Sequence, residues 1–413
     1  MPVHVLAKPA GAICNLDCSY CFYLDREELY PGARFRMRDE VLEAYLSQLL
    51  ELHPGPEITI AWQGGEPTLL GVDFFRRAFE MAERLRRPGQ QLRHALQTNA
   101  TLLDDRWGEL LSQYSVLVGV SIDGPAHLHD VLRVDRHGRG THDRVRAGIE
   151  VLRRHQVECN ALVTVNAANQ HAPVEVYRYL RDELGFEFIQ LIPIVEVAAA
   201  ATVETPLVLE PTSVDPVAWG QFLLAVFREW LRADVGRVYV SMFDATLGAH
   251  LGMPASMCIF SETCGQAVAL EHNGDLYSCD HFVDPSHLLG NLLETHLGDL
   301  VHSPAQQAFG AAKAQLPEQC RRCPVLVACR GECPKNRADR TVEGELGLNV
   351  LCAGYLSFFT ESAPVFAAMA ERLRRGGYAD EVMALVQGAP AGEPCPCGSG
   401  IAQADCHGRG PTS

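Results

Sequence analysis

Cys14-Asn15-Leu16-Asp17-Cys18-Ser19-Tyr20-Cys21 places three thiols at C-x₃-C-x₂-C spacing on one short stretch. Soft thiolates this close can converge on a single metal centre, and they select iron–sulfur clusters or zinc. Three ligands leave one position open, where the fourth iron of a cubane can take an exchangeable ligand. A structural zinc with a distant fourth ligand, or reduced thiols packed in a core, satisfies the same spacing. The flanking chain has to decide.

Residues 3–7 are short and apolar and lead straight into the triplet. Residues 39–52 carry Val41, Leu42, Tyr45, Leu46, Leu49 and Leu50 at helical spacing behind Asp39, and 57–62 read as a strand closed by Gly64-Gly65. The pattern predicts helices over 73–87, 104–113, 143–155 and 173–184, alternating with strands over 92–97, 116–121, 159–165 and 187–192. Such alternation implies an α/β fold, a parallel sheet with crossover helices, and six units make an open relative of the (β/α)₈ barrel. In parallel α/β folds the chemistry gathers at the C-terminal ends of strands. The triplet, Gln63-Gly64-Gly65-Glu66-Pro67, Gln97-Thr98-Asn99 and Ser121-Ile122-Asp123-Gly124-Pro125 all fall at such ends.

Length and composition bound the rest. A chain of 413 residues, 47% hydrophobic, can hold two or three domains and a substantial core. Its formal net charge of −16 argues against nucleic acid or an anionic membrane as partner. No basic apolar leader opens the chain, and the nearest approach to a long apolar run, 191–203, is interrupted by Pro193 and Glu196. Fifteen cysteines without an export signal point to metal binding in a reducing cytoplasm, not to disulfides. They fall in groups, with Cys159 alone outside them.

With an aromatic before its last cysteine, and with those motifs in order at successive strand ends, the first half resembles the radical S-adenosylmethionine (SAM) enzymes. That family uses a partial (β/α)₆ barrel. The resemblance implies a [4Fe–4S] cluster on Cys14, Cys18 and Cys21, with Tyr20 beside it and SAM on the open iron. It also implies that Gly64, Gly65 and Glu66 meet the SAM amino group, largely through backbone, since glycine lets the main chain approach a ligand closely. Ser121 and Arg133 match positions that reach the ribose and carboxylate, and Val195 a position flanking the adenine.

Residues 217–232 form an amphipathic helical pattern, the chain changes character at Arg237-Val238-Tyr239-Val240, and a domain boundary is expected near 235. Beyond it come Cys258, Cys264 and Cys279, then Cys320, Cys323, Cys329, Cys333 and Cys352. Eight cysteines make two sets of four, and a pair of structural zinc sites would satisfy them as well. Their order, with the hairpin Asn273-Gly274-Asp275-Leu276-Tyr277-Ser278-Cys279 and with Leu289-Gly290-Asn291, resembles the SPASM extension of peptide-modifying radical SAM enzymes. That resemblance implies auxiliary cluster I on Cys258, Cys264, Cys279 and Cys333, and cluster II on Cys320, Cys323, Cys329 and Cys352. Three [4Fe–4S] clusters are then expected, the two auxiliary ones fully protein-ligated and suited to carrying electrons.

Within that group the chain is most similar to the anaerobic sulfatase-maturating enzymes, over roughly residues 3 to 365. The similarity rests on Cys14 to Leu24, Trp62 to Leu69, Leu96 to Asn99, Val118 to Pro125 and Tyr277-Ser278-Cys279-Asp280. It implies oxidation of a cysteine or serine in an unfolded segment of a client sulfatase to Cα-formylglycine, with Asp280 as the base that takes the thiol or hydroxyl proton. Tyr23 and Gln63 resemble residues on the substrate side. His281-Phe282 departs from the aromatic pair common there. A low-potential donor such as flavodoxin or ferredoxin is the expected electron source.

Residues 366–386 look helical, and 387–394 read as a flexible linker. The tail over 395–408 carries Cys395, Cys397, Cys406 and His407, a closed tetrahedral Zn²⁺ set too small to fold without metal. It resembles the SEC-C zinc motif of the protein-export motor, which implies contact with an export chaperone. The domain plan is thus 1–235 for the radical SAM barrel, 236–386 for the SPASM region, then linker and zinc tail. Two other readings compete: a SPASM enzyme forming a thioether or carbon–carbon crosslink, and a zinc-binding adaptor without catalysis.

Overall fold

Four residues, His4–Ala7, form β1, and its two neighbours in the sheet lie about 200 residues apart in the chain. On one side β2 (Glu57–Trp62) runs parallel to it, and on the other so does a strand at Ala267–Leu270. The computed structural model describes residues 3–53, 55–199, 205–397 and 399–407. They divide into two compact units, one made of residues up to Ile122 with Ala126–Leu162 and Thr263–Gln315, the other of the remainder.

In the first unit the sheet continues through β3 (Gln91–Thr98), β4 (Leu117–Ser121) and the first part of β5 (Cys159–Val165), all parallel. Beyond Ala267–Leu270 it adds Asp275–Tyr277 and Leu288–Asn291 as an antiparallel hairpin. The crossovers are α1 (Asp39–Leu52), α2 (Val72–Leu85), α3 (Asp105–Gln113), and α4 (Ala126–Leu132) followed by α5 (His142–Arg154). The α1 stripe buries the six side chains that its spacing singles out, Val41 through Leu50. Asp104 caps α3 by accepting from the Trp107 N–H at 3.1 Å, a contact worth about 1 kcal/mol. Trp62, at the end of β2, is fully buried against Tyr45 and Phe75 and donates its Nε1–H to His94 Nδ1 at 3.2 Å.

The second unit is mainly helical. It holds α6 (Pro173–Arg178), continued by a π-helical turn at Tyr179–Glu183, then β6 (Phe188–Pro193) paired parallel with Tyr239–Val240. Around its core lie α7 (Pro216–Ala233), a helix at Ser241–Leu251 and a long helix at Cys352–Arg374. Phe227 packs edge-on against Phe243 and Phe358, and tilted against Phe366. The long helix approaches α7 so closely that a Cβ on Gly220 would stand 2.6 Å from the Gly354 Cα. Among the described residues, no helix is long and apolar enough to cross a membrane. Residues 200–203 of the apolar run lie outside the described residues.

Three expectations change. The helix expected over 366–386 is two, Cys352–Arg374 and Glu381–Gln387, separated at Gly376-Gly377. The boundary near 235 does not separate the compact units, because Ala267–Leu270 extends the sheet at β1 and draws its hairpin into the first. Nor is 387–394 a free spacer. Glu393 and Ala391 accept backbone hydrogen bonds from Gln403 and Ala404 of the tail, at 2.9 and 3.1 Å.

Candidate active site

The chain leaves β1 at Ala7 and turns through Gly11, whose φ of +55° suits glycine, into the cysteine triplet. The loop after β2 is laced to it. Gly65 N–H donates to Gly11 O at 2.9 Å and Glu66 N–H to Ile13 O at 2.8 Å. A Cβ on Gly65 would lie 2.1 Å from Ile13 O, so only glycine permits the approach. Cys14 Sγ accepts from Leu16 N–H at 3.3 Å and from the Asn99 amide at 3.7 Å. Burial, reinforced by Glu66, pushes the Cys14 thiol up to about 12, and a cationic iron centre reverses that preference by binding thiolate. Cys14 interacts electrostatically with both Cys18 and Cys21, and three such soft thiols fit an iron–sulfur centre.

The residues expected near SAM divide by role. The N–H groups of Gly65 and Glu66 are engaged as described, and the Glu66 carbonyl accepts from Leu69 N–H at 3.2 Å. The Glu66 carboxylate, fully buried, accepts from Thr68 N–H (3.0 Å) and Oγ1 (2.5 Å), Thr98 Oγ1 (2.7 Å) and Asn99 N–H (2.7 Å). It ties two strand ends together, with three of these bonds on Oε1 and one on Oε2. Arg133 lies over the Tyr20 ring, 5.5 Å from its centroid, and both are buried. Ser121 ends β4 with 9% exposure. Val195 belongs to the second unit, where its carbonyl accepts from Lys335 Nζ at 2.8 Å.

Asp280 is the electrostatic centre of the first unit. Its hairpin lies two strands from β1, which brings it beside Lys8, the residue after β1. Lys8 Nζ stands 2.6 Å from Oδ1, with Arg26 Nη1 at 3.5 Å. The Tyr23 hydroxyl donates to Oδ2 at 2.5 Å and the Gln63 amide at 3.3 Å. Lys8, fully buried, also bonds Glu271 at 3.0 Å. Burial alone would raise the Asp280 pKa. The charges of Lys8 and Arg26 and the hydrogen bonds from Lys8 and Tyr23 outweigh it and hold the carboxyl at about 2. Tyr23, buried beside this anion, has its phenol pushed well above its ordinary value. The structure thus joins Asp280, Tyr23 and Gln63, and adds Lys8, Arg26 and Glu271, which the sequence reading missed. A lysine directly after an apolar strand was the available signal.

In the second unit Cys320, Cys323, Cys329 and Cys352 line one cavity of about 260 Å³, whose other walls are largely apolar. Cys352 is the first residue of the long helix, and Cys329 ends a short one. After Cys329 the chain takes three positive φ values in succession, at Arg330, Gly331 and Glu332. Arg337 fixes that turn by donating to the carbonyls of all three. Burial raises the Cys329 thiol to about 12 and Cys352 to about 11. Four thiols around an apolar hollow fit a protein-ligated cluster. Of the other set, Cys264 and Cys279 belong to the first unit, where Gln306 donates to Gly265 O and Ser278 O and so links the loops that carry them. Cys258 and Cys333 belong to the second.

The tail brings Cys395, Cys397, Cys406 and His407 together, all buried, with their ligand atoms within 4.8 Å of one another. His407 Nδ1 lies 3.1 Å from Cys395 Sγ and 3.3 Å from Cys406 Sγ. Three thiols and an imidazole at these separations fit a tetrahedral zinc.

The profile of the Radical SAM superfamily matches residues 9–180, and that of the SPASM iron-sulfur cluster-binding domain matches residues 258–324. A serine-type anaerobic sulfatase-maturating enzyme of Bacteroides thetaiotaomicron is 40% identical over 384 residues, which is 90% of this chain and 92% of that protein. The cysteine-type enzyme of Clostridium perfringens (strain 13 / Type A) is 31% identical over 90% of this chain and all of its own. The solved structure of native anSMEcpe with bound AdoMet and Cp18Cys peptide superposes with a TM-score of 0.80 at 30% identity, covering 90% of this chain and 100% of that one. SuiB of Streptococcus suis, at 16% identity and a TM-score of 0.57, shares the fold.

Proposed function

The chain belongs to the anaerobic sulfatase-maturating enzymes, radical SAM oxidoreductases with a SPASM iron–sulfur domain, and from that premise we propose that it oxidises a cysteine or serine side chain of a client sulfatase to Cα-formylglycine. The observation that carries the reading is the buried Asp280 carboxylate, ringed by Lys8, Arg26, Tyr23 and Gln63. Identity is higher to the serine-type relative, 40%, than to the cysteine-type, 31%, which supports serine-bearing clients as the first to test.

Cys14, Cys18 and Cys21 would hold the cluster that meets SAM. The sets Cys258, Cys264, Cys279, Cys333 and Cys320, Cys323, Cys329, Cys352 would hold clusters I and II. When bound, these groups supply one-electron chemistry, namely reductive cleavage of SAM to a hydrogen-abstracting radical and removal of the second electron. Gly64, Gly65, Glu66, Tyr20, Ser121, Arg133 and Val195 would position SAM, the first three largely through backbone. Oxidation removes a hydrogen atom from the client Cβ, one proton from its thiol or hydroxyl, and one electron. Asp280 accepts that proton at Oδ1 or Oδ2. A carboxylate near pKa 2 is a weak base, so contact and water exclusion must do more than basicity. Lys8 and Arg26 keep it ionised, and Tyr23 and Gln63 orient it toward the incoming side chain. For a cysteine client the thioaldehyde is then hydrolysed, whereas serine gives the aldehyde directly.

The tail would bind Zn²⁺, and its likeness to SEC-C supports contact with an export chaperone during maturation in the cytoplasm. Removing residues 388–413 should then lower maturation of an exported sulfatase in cells; equal maturation would remove this role. Flavodoxin or ferredoxin is the class of electron donor the chemistry requires. The main reading is tested by incubating reduced, reconstituted enzyme and SAM with peptides carrying serine or cysteine in the C-x-P-x-R context. An aldehyde product is expected. Cleavage of SAM with a crosslinked peptide and no aldehyde would replace the reading with that of a crosslinking enzyme.

A further inference from the structure

Nothing in the maturation chemistry uses the tail, and the aligned relatives leave about a tenth of this chain uncovered. Yet the tail is bound into the second unit through the ligands themselves. His407 Nε2 lies 2.8 Å from Arg228 O, a carbonyl inside α7, five residues before its last. With Nε2–H donating there, the Nδ1 lone pair is fixed toward Cys395 and Cys406, where a metal ion would take it. From the same helix, Arg232 Nη2 donates to Cys406 O at 2.6 Å, and Arg232 O accepts from Gln387 Nε2 at 2.9 Å. Gln403 closes the ring, donating to Val386 O and Gln387 O at the end of the helix Glu381–Gln387.

We infer that the tail's metal site is a staple for α7: a zinc ion on Cys395, Cys397, Cys406 and His407 holds the imidazole that binds the α7 backbone, and so fixes α7 and Glu381–Gln387 in one rigid body. The physical reason is selective. Without metal, three buried thiols and a histidine at 3.1 to 3.5 Å have no common partner, and a short stretch with one four-residue helix cannot hold that geometry alone. The staple acts on a helix that matters beyond the tail. Arg228 also pairs with Glu361 at 2.8 Å, and Gly220 abuts Gly354, both on the helix that begins at Cys352.

The inference rests on the zinc reading of the tail, and two measurements separate them. Anaerobically reconstituted full-length chain is analysed for zinc and iron, and then by hydrogen–deuterium exchange. Wild type should carry about one zinc per chain beyond its iron. Cys397→Ser should lose the zinc, keep the iron, and raise exchange in Arg228–Ala233 and Glu381–Gln387 by about tenfold or more. Arg232→Ala, which leaves every ligand in place, should keep the zinc and raise exchange in the tail by less. No zinc in wild type overturns the metal reading and the staple with it. Zinc present in wild type, lost in Cys397→Ser, with exchange of α7 unchanged overturns the staple alone and leaves a freely tethered zinc module.

Discussion

Lys8 brings a full charge to a place that water does not reach, and two carboxylates, Glu271 and Asp280, compensate it. Replacing it with methionine would leave both acids buried without their shared cation. Breaking a buried pair in this way costs about 3–5 kcal/mol, so Lys8→Met should lower the urea stability of the chain by that order. The pH sign follows from Asp280. Its folded pKa is lowered from 3.8 to about 2, against burial, by Lys8 and Arg26. The stability it contributes is therefore present above its unfolded value and lost only as pH falls through the folded one. In Lys8→Met burial should carry the folded pKa of Asp280 upward, so the stability lost at neutral pH should not be lost again on acidification and the acid dependence of stability should flatten; an unchanged acid dependence would show that Lys8 does not hold the carboxylate ionised. Asp280 was legible from its place after Cys279. Lys8, Arg26 and Glu271 were not, because the sheet order that brings them together joins residues more than 250 positions apart.

At the level of elements, the long helices of the first half were readable because each buries one periodic face, and β4 and β5 because they are almost continuously buried apolar runs, whereas the short α4 was not read. The long helix Cys352–Arg374 was not, since Pro364 inside it reads as a stop. It survives because Tyr355, Phe358, Phe359, Phe366 and Met369 bury a continuous stripe across the proline. The strand-end glycines were visible as a motif, but their function lies in contact with the triplet loop. Gly65→Ala would drive a Cβ into Ile13 O and part the two loops. Reconstituted Gly65→Ala should lack about four iron atoms per chain, the content of one cubane, and fail to cleave SAM. Full iron and normal cleavage would show that the loops tolerate separation.

For the whole molecule, the proposed ligand sets take three, four, four and three of the fifteen cysteines and leave Cys159 over. About twelve iron atoms per chain follow if all three clusters are cubanes. Cys159→Ser should leave iron content and peptide oxidation at wild-type values, and a loss of iron would mean that a ligand set has been drawn wrongly. A radical SAM fold followed by a SPASM domain was legible in the order of the motifs, whereas the sheet position of the strand that opens the second half was not. The strand Ala267–Leu270 pairs parallel with β1, a long-range register that no local pattern encodes. That pairing sets Asp280 beside Lys8, so the most direct experiment is on Asp280. With reduced enzyme, SAM and a serine- or cysteine-bearing sulfatase peptide, Asp280→Asn should still cleave SAM while aldehyde formation falls by about a hundredfold or more. Aldehyde formation near the wild-type rate in Asp280→Asn would contradict its role as the base.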